Sequence, residues 1–245
     1  MCTVVFAWQV FDDCPLVLVA NRDESVDRPS DPPLHLQTDP PLWGGRDRVA
    51  GGTWLAVDPR GRICAVTNRH PGGRLPDPDP GRESRGQIPT AVLGGGDDAS
   101  AVATMQSWQS ADFNPVNALY VSATRAFWIG LDDEGGRQEA PLAPGVHVLT
   151  EQNPDDPSSR KASGLLRDAQ GVASLVQTSE ALLAEFRALL QSHHQYSDGP
   201  ESAACIHEEK FGTVSSATVQ ISRGRTWFAH ADGHPCTTPY QAIHC

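Results

Sequence analysis

Lysine is nearly absent from this chain: Lys161 and Lys210 are the only two. All 19 Lys and Arg together face 30 Asp and Glu, a formal charge of −11. Such an acidic surface repels phosphate backbones and anionic lipid headgroups, so no nucleic-acid partner is expected. Long hydrophobic runs are missing too. The longest, such as Leu16-Val17-Leu18-Val19-Ala20, are strand-sized and far below the roughly 20 residues of a membrane span. No basic stretch precedes an apolar one at the start, so neither signal peptide nor stable membrane insertion is expected, and a cytoplasmic location is the expectation. Cysteine is sparse, 6 in 245 residues, without a CxxC pair, which excludes a disulfide scaffold. Gly94-Gly95-Gly96 lacks both the lysine and the preceding strand of a phosphate-binding loop.

What the chain does have is punctuation, with 22 Gly and 20 Pro set among 39% hydrophobic residues. That composition argues against a helical bundle and for many short strands with enough apolar surface for a core. Residues 3–10 and 15–20 read as a hairpin about Phe11-Asp12-Asp13-Cys14, and the second strand runs into Asn21-Arg22-Asp23-Glu24. A Pro- and Asp-rich stretch, 28–42, reads as loop. Further hairpins are expected at 51–57 with 62–67, at 116–121 with 126–131, and at 216–222 with 226–229. A single strand is expected at 146–150, and 70–81 reads as another loop.

Helical periodicity marks 98–108, capped by Asp97 or Asp98, then 159–169, then 180–191 behind Thr178 or Ser179. No repeat or linker breaks the chain, so one domain over residues 1–245 is expected. Antiparallel strands with two helical blocks fit an α+β class. Either an αββα sandwich or a single sheet with helices on one face would satisfy the pattern.

Cys2 is the residue with a distinctive chemical position. Removal of an initiator Met before so small a residue would leave Cys2 at the N-terminus, its α-amine (reference pKa about 7.7–8.0) beside its own thiol. One residue then carries nucleophile and general base, and nearby Asn side chains can stabilise an oxyanion. The four polar residues Asn21, Arg22, Asp23 and Glu24 end the neighbouring strand and could converge on it.

Several segments together resemble the NRDE family, also called the transport and Golgi organisation protein 2 family. They are Met1-Cys2-Thr3, Ala20-Asn21-Arg22-Asp23-Glu24 with Arg28-Pro29, Gly51-Gly52-Thr53-Trp54-Leu55 and Ala65-Val66-Thr67-Asn68. Pro144-Gly145 and Phe211-Gly212-Thr213 with Ser215-Ser216 extend the resemblance over most of the chain. It implies an N-terminal-nucleophile (Ntn) hydrolase αββα sandwich, similar to cysteine amidases of the penicillin V acylase and bile salt hydrolase group. On that resemblance Cys2 is the nucleophile, Asp23 holds its amine and Asn68 is an oxyanion donor, with Asn21, Arg22, Glu24 and Asn153 supporting.

The chain departs at three places from the pattern of those amidases or of other relatives. Ala20 stands where the amidases carry an Arg, and Arg22 shares its strand parity. Glu151 stands where many family members have an Asn, so Asn153 matches only after a two-residue shift. Val214 replaces an Arg-bearing Gly-Thr-Arg position. Two functions are therefore carried forward. One is a hydrolase or acyltransferase acting on a small-molecule amide or thioester. The other, implied by the family's links to haem trafficking and lipid or acyl-CoA homeostasis, is a non-enzymatic carrier with haem or an acyl-CoA as ligand. No cofactor or metal is expected, because among Cys205-x-His207 and the tail residues His230, His234, Cys236, His244 and Cys245 only His230-x₃-His234 has a usual zinc spacing.

Overall fold

In chain order the strands are Cys2–Phe11 (β1), Cys14–Ser25 (β2), Ser30–Thr38 (β3), Pro41–Asp47 (β4), Leu55–Val57 (β5) and Ile63–Asn68 (β6). Helices Ile88–Leu93 (α1) and Asp98–Ser107 (α2) follow, then strands Val116–Val121 (β7), Ala126–Leu131 (β8), Arg137–Pro141 (β9) and Gly145–Leu149 (β10). Helices Arg160–Leu175 (α3) and Ser179–Gln191 (α4) precede strands Phe211–Ser222 (β11), Arg225–Ala231 (β12) and Gln241–Ile243 (β13). The computed structural model describes residues 2–70, 77–133, 135–222 and 224–244. Met1, six residues of the expected loop 70–81, Glu134, Arg223 of the expected last hairpin turn and Cys245 lie outside the described residues.

The chain forms two compact units, Met1–Arg28 with Pro144–Cys245, and Pro29–Ala143. The first holds an antiparallel sheet of order β10-β1-β2-β11-β12-β13. The β1–β2 register sets Cys2 opposite Arg22 and Thr3 opposite Asn21, tightening through the expected turn to Phe11 opposite Cys14. Directly opposed residues share a face, and faces alternate along each strand. Val5, Ala7, Val17 and Val19 accordingly form one buried cluster with Ala162, Leu165, Leu182, Phe186 and Leu190 of α3 and α4. Both helices have side-chain caps: Ser159 accepts from the Ala162 N–H and Thr178 from the Ala181 N–H. Gly164 lets Tyr196 lie on α3, since a Cβ there would meet the ring at 2.3 Å.

The second unit holds an antiparallel sheet of order β3-β4-β5-β6-β7-β8-β9. Its helical face buries Cys64, Val66, Ala118, Tyr120, Phe127 and Ile129 against Ile88, Val92, Ala101 and Met105 of α1 and α2. Asp97 is the α2 cap, accepting from the Ser100 N–H at 2.8 Å. The class is therefore α+β, two antiparallel sheets each carrying a helical pair.

The stretch 28–42 is not loop but contributes β3 and the start of β4. β3 is an edge strand, and its pairing skips between Asp31 and Leu34, so Pro32 and Pro33 sit in the irregularity where no ladder N–H is needed. The other edge strand β9, largely exposed and polar, carries no alternating apolar signal and was invisible for that reason. The short β13 and α1 were not anticipated either, and α3 runs six residues beyond the expected 169.

His230 on β12 is only 4% exposed, and among the described residues its Nδ1 has no hydrogen-bond partner. Burial pushes its pKa down to about 4, with Asp232 pulling the other way. The folded value lies below an unfolded value of about 6.5. This contribution to stability is thus complete above that pH and lost as pH falls toward about 4. Of order 3 kcal/mol should disappear across the window. Urea unfolding of His230→Gln at pH 7 and pH 4.5 should show a smaller acid loss than the parent; equal losses would clear His230 of this role.

Candidate active site

Cys2 opens β1 and shares a face with Arg22, while Asn21 and Asp23 project from the opposite, helix-bearing face of β2. Asn21, Arg22 and Asp23 are all buried, at 1%, 4% and 2% exposure. That depth separates them from an ordinary charged turn. Both N–H groups of the Asn21 amide are engaged, donating to the carbonyls of Leu190 and Ala204 at 2.8 Å each. Asn21 therefore fastens the strand to the last turn of α4, where helix carbonyls lack intrahelical partners.

Asp23 is held by Thr213, whose Oγ1 donates to Oδ1 at 2.6 Å across the β2–β11 pairing. The same Oγ1 accepts from the Ile206 N–H at 2.9 Å, so the carboxylate's partner is itself fixed. Burial pushes the Asp23 carboxyl up and the Glu151 charge adds to that, while Lys161 and the Thr213 hydroxyl pull it down. Lys161 is 5% exposed in the first turn of α3, an end of the helix dipole that disfavours cations. Its Nζ donates to the Glu201 carbonyl at 3.2 Å. Its placement against the dipole is offset by the Asp23 carboxylate it interacts with and by that carbonyl.

Cys2 is half-buried as a residue, yet its sulfur lies deep enough that burial pushes the thiol up. The Asp23 carboxylate raises it further, whereas the Asp23 N–H, donating to the sulfur, and Arg22 lower it. At neutral pH the group rests as a thiol, so nucleophilic attack needs a base to take its proton.

The other expected residues occupy different settings. Glu24 accepts from the Ser25 N–H and pairs with Arg28 at 3.7 Å, a local ion pair at the strand end. Asn153 sits in the turn after β10, where its carbonyl accepts from the Asp156 N–H. Asn68 belongs to the second unit: it ends β6 opposite Val116 and is half-buried. Beside it Arg69, 1% exposed, donates to Asn117 Oδ1, which also accepts from the Trp128 indole.

Three residues near Asp23 were missed as site members: Lys161, Thr213 and Glu151. Glu151 Oε2 is buried with no hydrogen-bond partner among the described residues. One signal was available for Lys161, since a chain with two lysines that places one in a helix's first turn invites the question of what it faces. Thr213 lies in a segment that carries the family resemblance and Glu151 at a departure from it, but both come from far along the chain, and nothing near either in sequence points to Asp23.

Asp23→Asn separates site from scaffold. The folded pKa lies above the unfolded value of about 3.9. Its contribution to stability is thus complete below that value and lost as pH rises through the folded pKa. At pH 7 the amide should leave the thermal midpoint level or higher while slowing modification of Cys2. Destabilisation near 3 kcal/mol, the usual cost of breaking a buried ion pair, would instead make Asp23 a structural partner of Lys161.

Two solved structures are among those that resemble the chain. One is a mutant conjugated bile acid hydrolase from Clostridium perfringens, with a TM-score of 0.57 and 9% identity, covering 100% of this chain and 97% of that one. The other is the Caenorhabditis elegans ortholog of an N-acylethanolamine-hydrolyzing acid amidase, with a TM-score of 0.53 and 12% identity, covering 89% and 92%. Sheet order, helical pairs and these likenesses define a fold of the Ntn-hydrolase type.

Within that class the sequence is more specific. The profile of the family "Transport and Golgi organisation 2" matches residues 1–231, so the chain belongs to that family. A Mus musculus "Transport and Golgi organization 2 homolog" is 27% identical over 195 residues, spanning 74% of this chain and 67% of the relative. A Bos taurus "Transport and Golgi organization protein 2 homolog" is 24% identical over 271 residues, spanning 96% and 90%. Among the described residues no helix is long and apolar enough to cross a membrane.

Proposed function

We propose that this chain is an Ntn-type cysteine hydrolase or acyltransferase that opens an amide or thioester bond of a small molecule. One observation carries the reading. The Cys2 thiol accepts from the Asp23 N–H, and the Asp23 carboxylate is itself buried, hydrogen-bonded to Thr213 and faced by Lys161. A strand end with no chemical task has little reason to bury that many ionisable groups. The likeness to a bile acid hydrolase and an acid amidase supports the bond type, and the family match leaves the substrate open.

Once Met1 is removed, the α-amine of Cys2 takes the thiol proton as sulfur attacks the substrate carbonyl carbon. The amine then returns that proton to the departing amine or thiol, leaving an acyl thioester on Cys2. Water attacks this ester, the amine accepts its proton, and the carboxylic acid leaves as the thiol is restored. Asp23 and its neighbours orient the amine. The reaction so assigned uses groups of the first unit alone.

The test is intact mass before and after a cysteine-directed acylating probe. Loss of Met1 with one adduct mapping to Cys2 is the expected result. A retained Met1, or an inert Cys2, would overturn the reading. A carrier of haem or acyl-CoA is the second reading, favoured by Ala20 at the amidases' Arg position and by the raised thiol. It requires haem or acyl-CoA binding that survives Cys2→Ala.

A further inference from the structure

Away from Cys2, the first unit gathers four side chains from three separate segments. His193 follows α4, Cys205 and His207 flank Ile206 in the segment before β11, and Cys236 lies between β12 and β13. One donor atom from each lies within 4.8 Å of all the others. Cys236 Sγ is 3.2 Å from His207 Nε2, and the His193 and His207 rings meet edge-on at 4.7 Å. We infer that His193, Cys205, His207 and Cys236 form a Cys₂His₂ site for a structural zinc ion.

The donor chemistry selects the metal. Two thiolates and two imidazoles are a soft set that suits Zn²⁺ and discriminates against Mg²⁺ or Ca²⁺, which need oxygen. Two thiolates also balance the charge of the ion, and binding releases the two thiol protons. Four protein ligands leave no open position, the mark of a structural rather than a catalytic site. With bonds of about 2.0–2.3 Å, the edges of a tetrahedron are roughly 3.3–3.8 Å, so closing the group asks for about 1 Å of contraction.

The imidazoles are already oriented. His193 Nδ1 lies 3.0 Å from the Cys205 carbonyl, which can only accept. Nδ1 therefore carries the proton and Nε2 keeps its lone pair for the metal, the usual outer support of a ligating histidine. His207 is stacked at 3.8 Å on His234, whose Nδ1 donates to the Thr213 carbonyl at 2.6 Å. Spacing could not announce this site. Cys205-x-His207 is the only close pair, and the other two ligands arrive from the end of α4 and from the β12–β13 connection.

The ion would clamp those segments beside the seat of Asp23. Ile206 lies between two ligands, and its N–H donates to Thr213 Oγ1, which donates to Asp23. The zinc inference stands apart from the reading of Cys2, because metal content is measured without turnover.

Reduced full-length protein, stripped of metal and titrated with zinc chloride, should take up one equivalent. Titration with cobalt chloride should give the intense visible bands of tetrahedral Co²⁺ with thiolate charge transfer. Cys236→Ser and the exposed His193→Gln should each weaken zinc binding at least about 100-fold. Cys14→Ser and Cys64→Ser should not. The cobalt spectrum of the unaltered chain keeps the test independent of whether any variant folds. Less than a tenth of an equivalent bound, an octahedral cobalt spectrum, or unchanged affinity in Cys236→Ser would overturn the site. So would a Cys205–Cys236 disulfide persisting in protein isolated from a reducing cytosol.

Discussion

Cys2→Ala should abolish covalent labelling by an acylating probe and reduce hydrolysis of any responsive amide or thioester by about 10⁴-fold or more, since Cys2 is the group proposed to carry the acyl intermediate. Stability should change little. Cys2 is half-buried at the first position of β1, and the β1–β2 pairing continues through Val4, Val5 and Phe6. The loss would therefore lie in turnover, with the unfolding free energy within about 1 kcal/mol of the parent. Cys2→Ser retains a hydroxyl of weaker nucleophilicity and should keep a trace of activity. The raised thiol pKa adds a pH signature. Alkylation of Cys2 should still be accelerating with pH beyond the range where an ordinary thiol levels off. Turnover equal to the parent in the alanine variant would remove Cys2 from the chemistry.

A second large effect belongs to stability. Arg62→Ala should cost about 3–5 kcal/mol. Its Nε pairs with Asp58 Oδ2 at 2.7 Å, with side chains 5% and 1% exposed. Its other nitrogens donate to the carbonyls of Gly95 and Leu93, so one guanidinium closes the β5–β6 turn and covers the end of α1. Alanine would leave Asp58 charged and buried and those carbonyls without their donor. The double variant Arg62→Met with Asp58→Leu should recover much of the loss, because the penalty comes mainly from the orphaned charge. Urea unfolding of the three proteins reads this directly, and a single-variant loss below 1 kcal/mol would mean that water reaches Asp58.

Much of the first unit was legible because its signals are local. Apolar runs broken by short turns gave the β1–β2 and β11–β12 hairpins, and Leu182, Phe186 and Leu190 behind Thr178 gave α4. Cys2 and Asp23 were named from position and resemblance, with nothing in their own neighbourhood to show how deeply Asp23 is buried. The edge strands β3 and β9 were lost for a common reason. A strand paired on one side tolerates proline and polar residues, so it lacks the alternation that marks an interior strand.

Residue order alone was enough for the antiparallel hairpins, the capped helices and the placing of a nucleophile candidate at position 2, since each depends on residues a few positions apart. Packing across the chain decided the rest. Thr213 lies 190 residues from the carboxylate it holds, and His193 and Cys236 come from distant segments to the same few ångströms. Contacts at such separations leave no periodicity and no fixed spacing. They arise only when the sheet aligns β2 beside β11 and the helices close over it, because burial then forces each polar group to take whatever partner the fold has brought within reach.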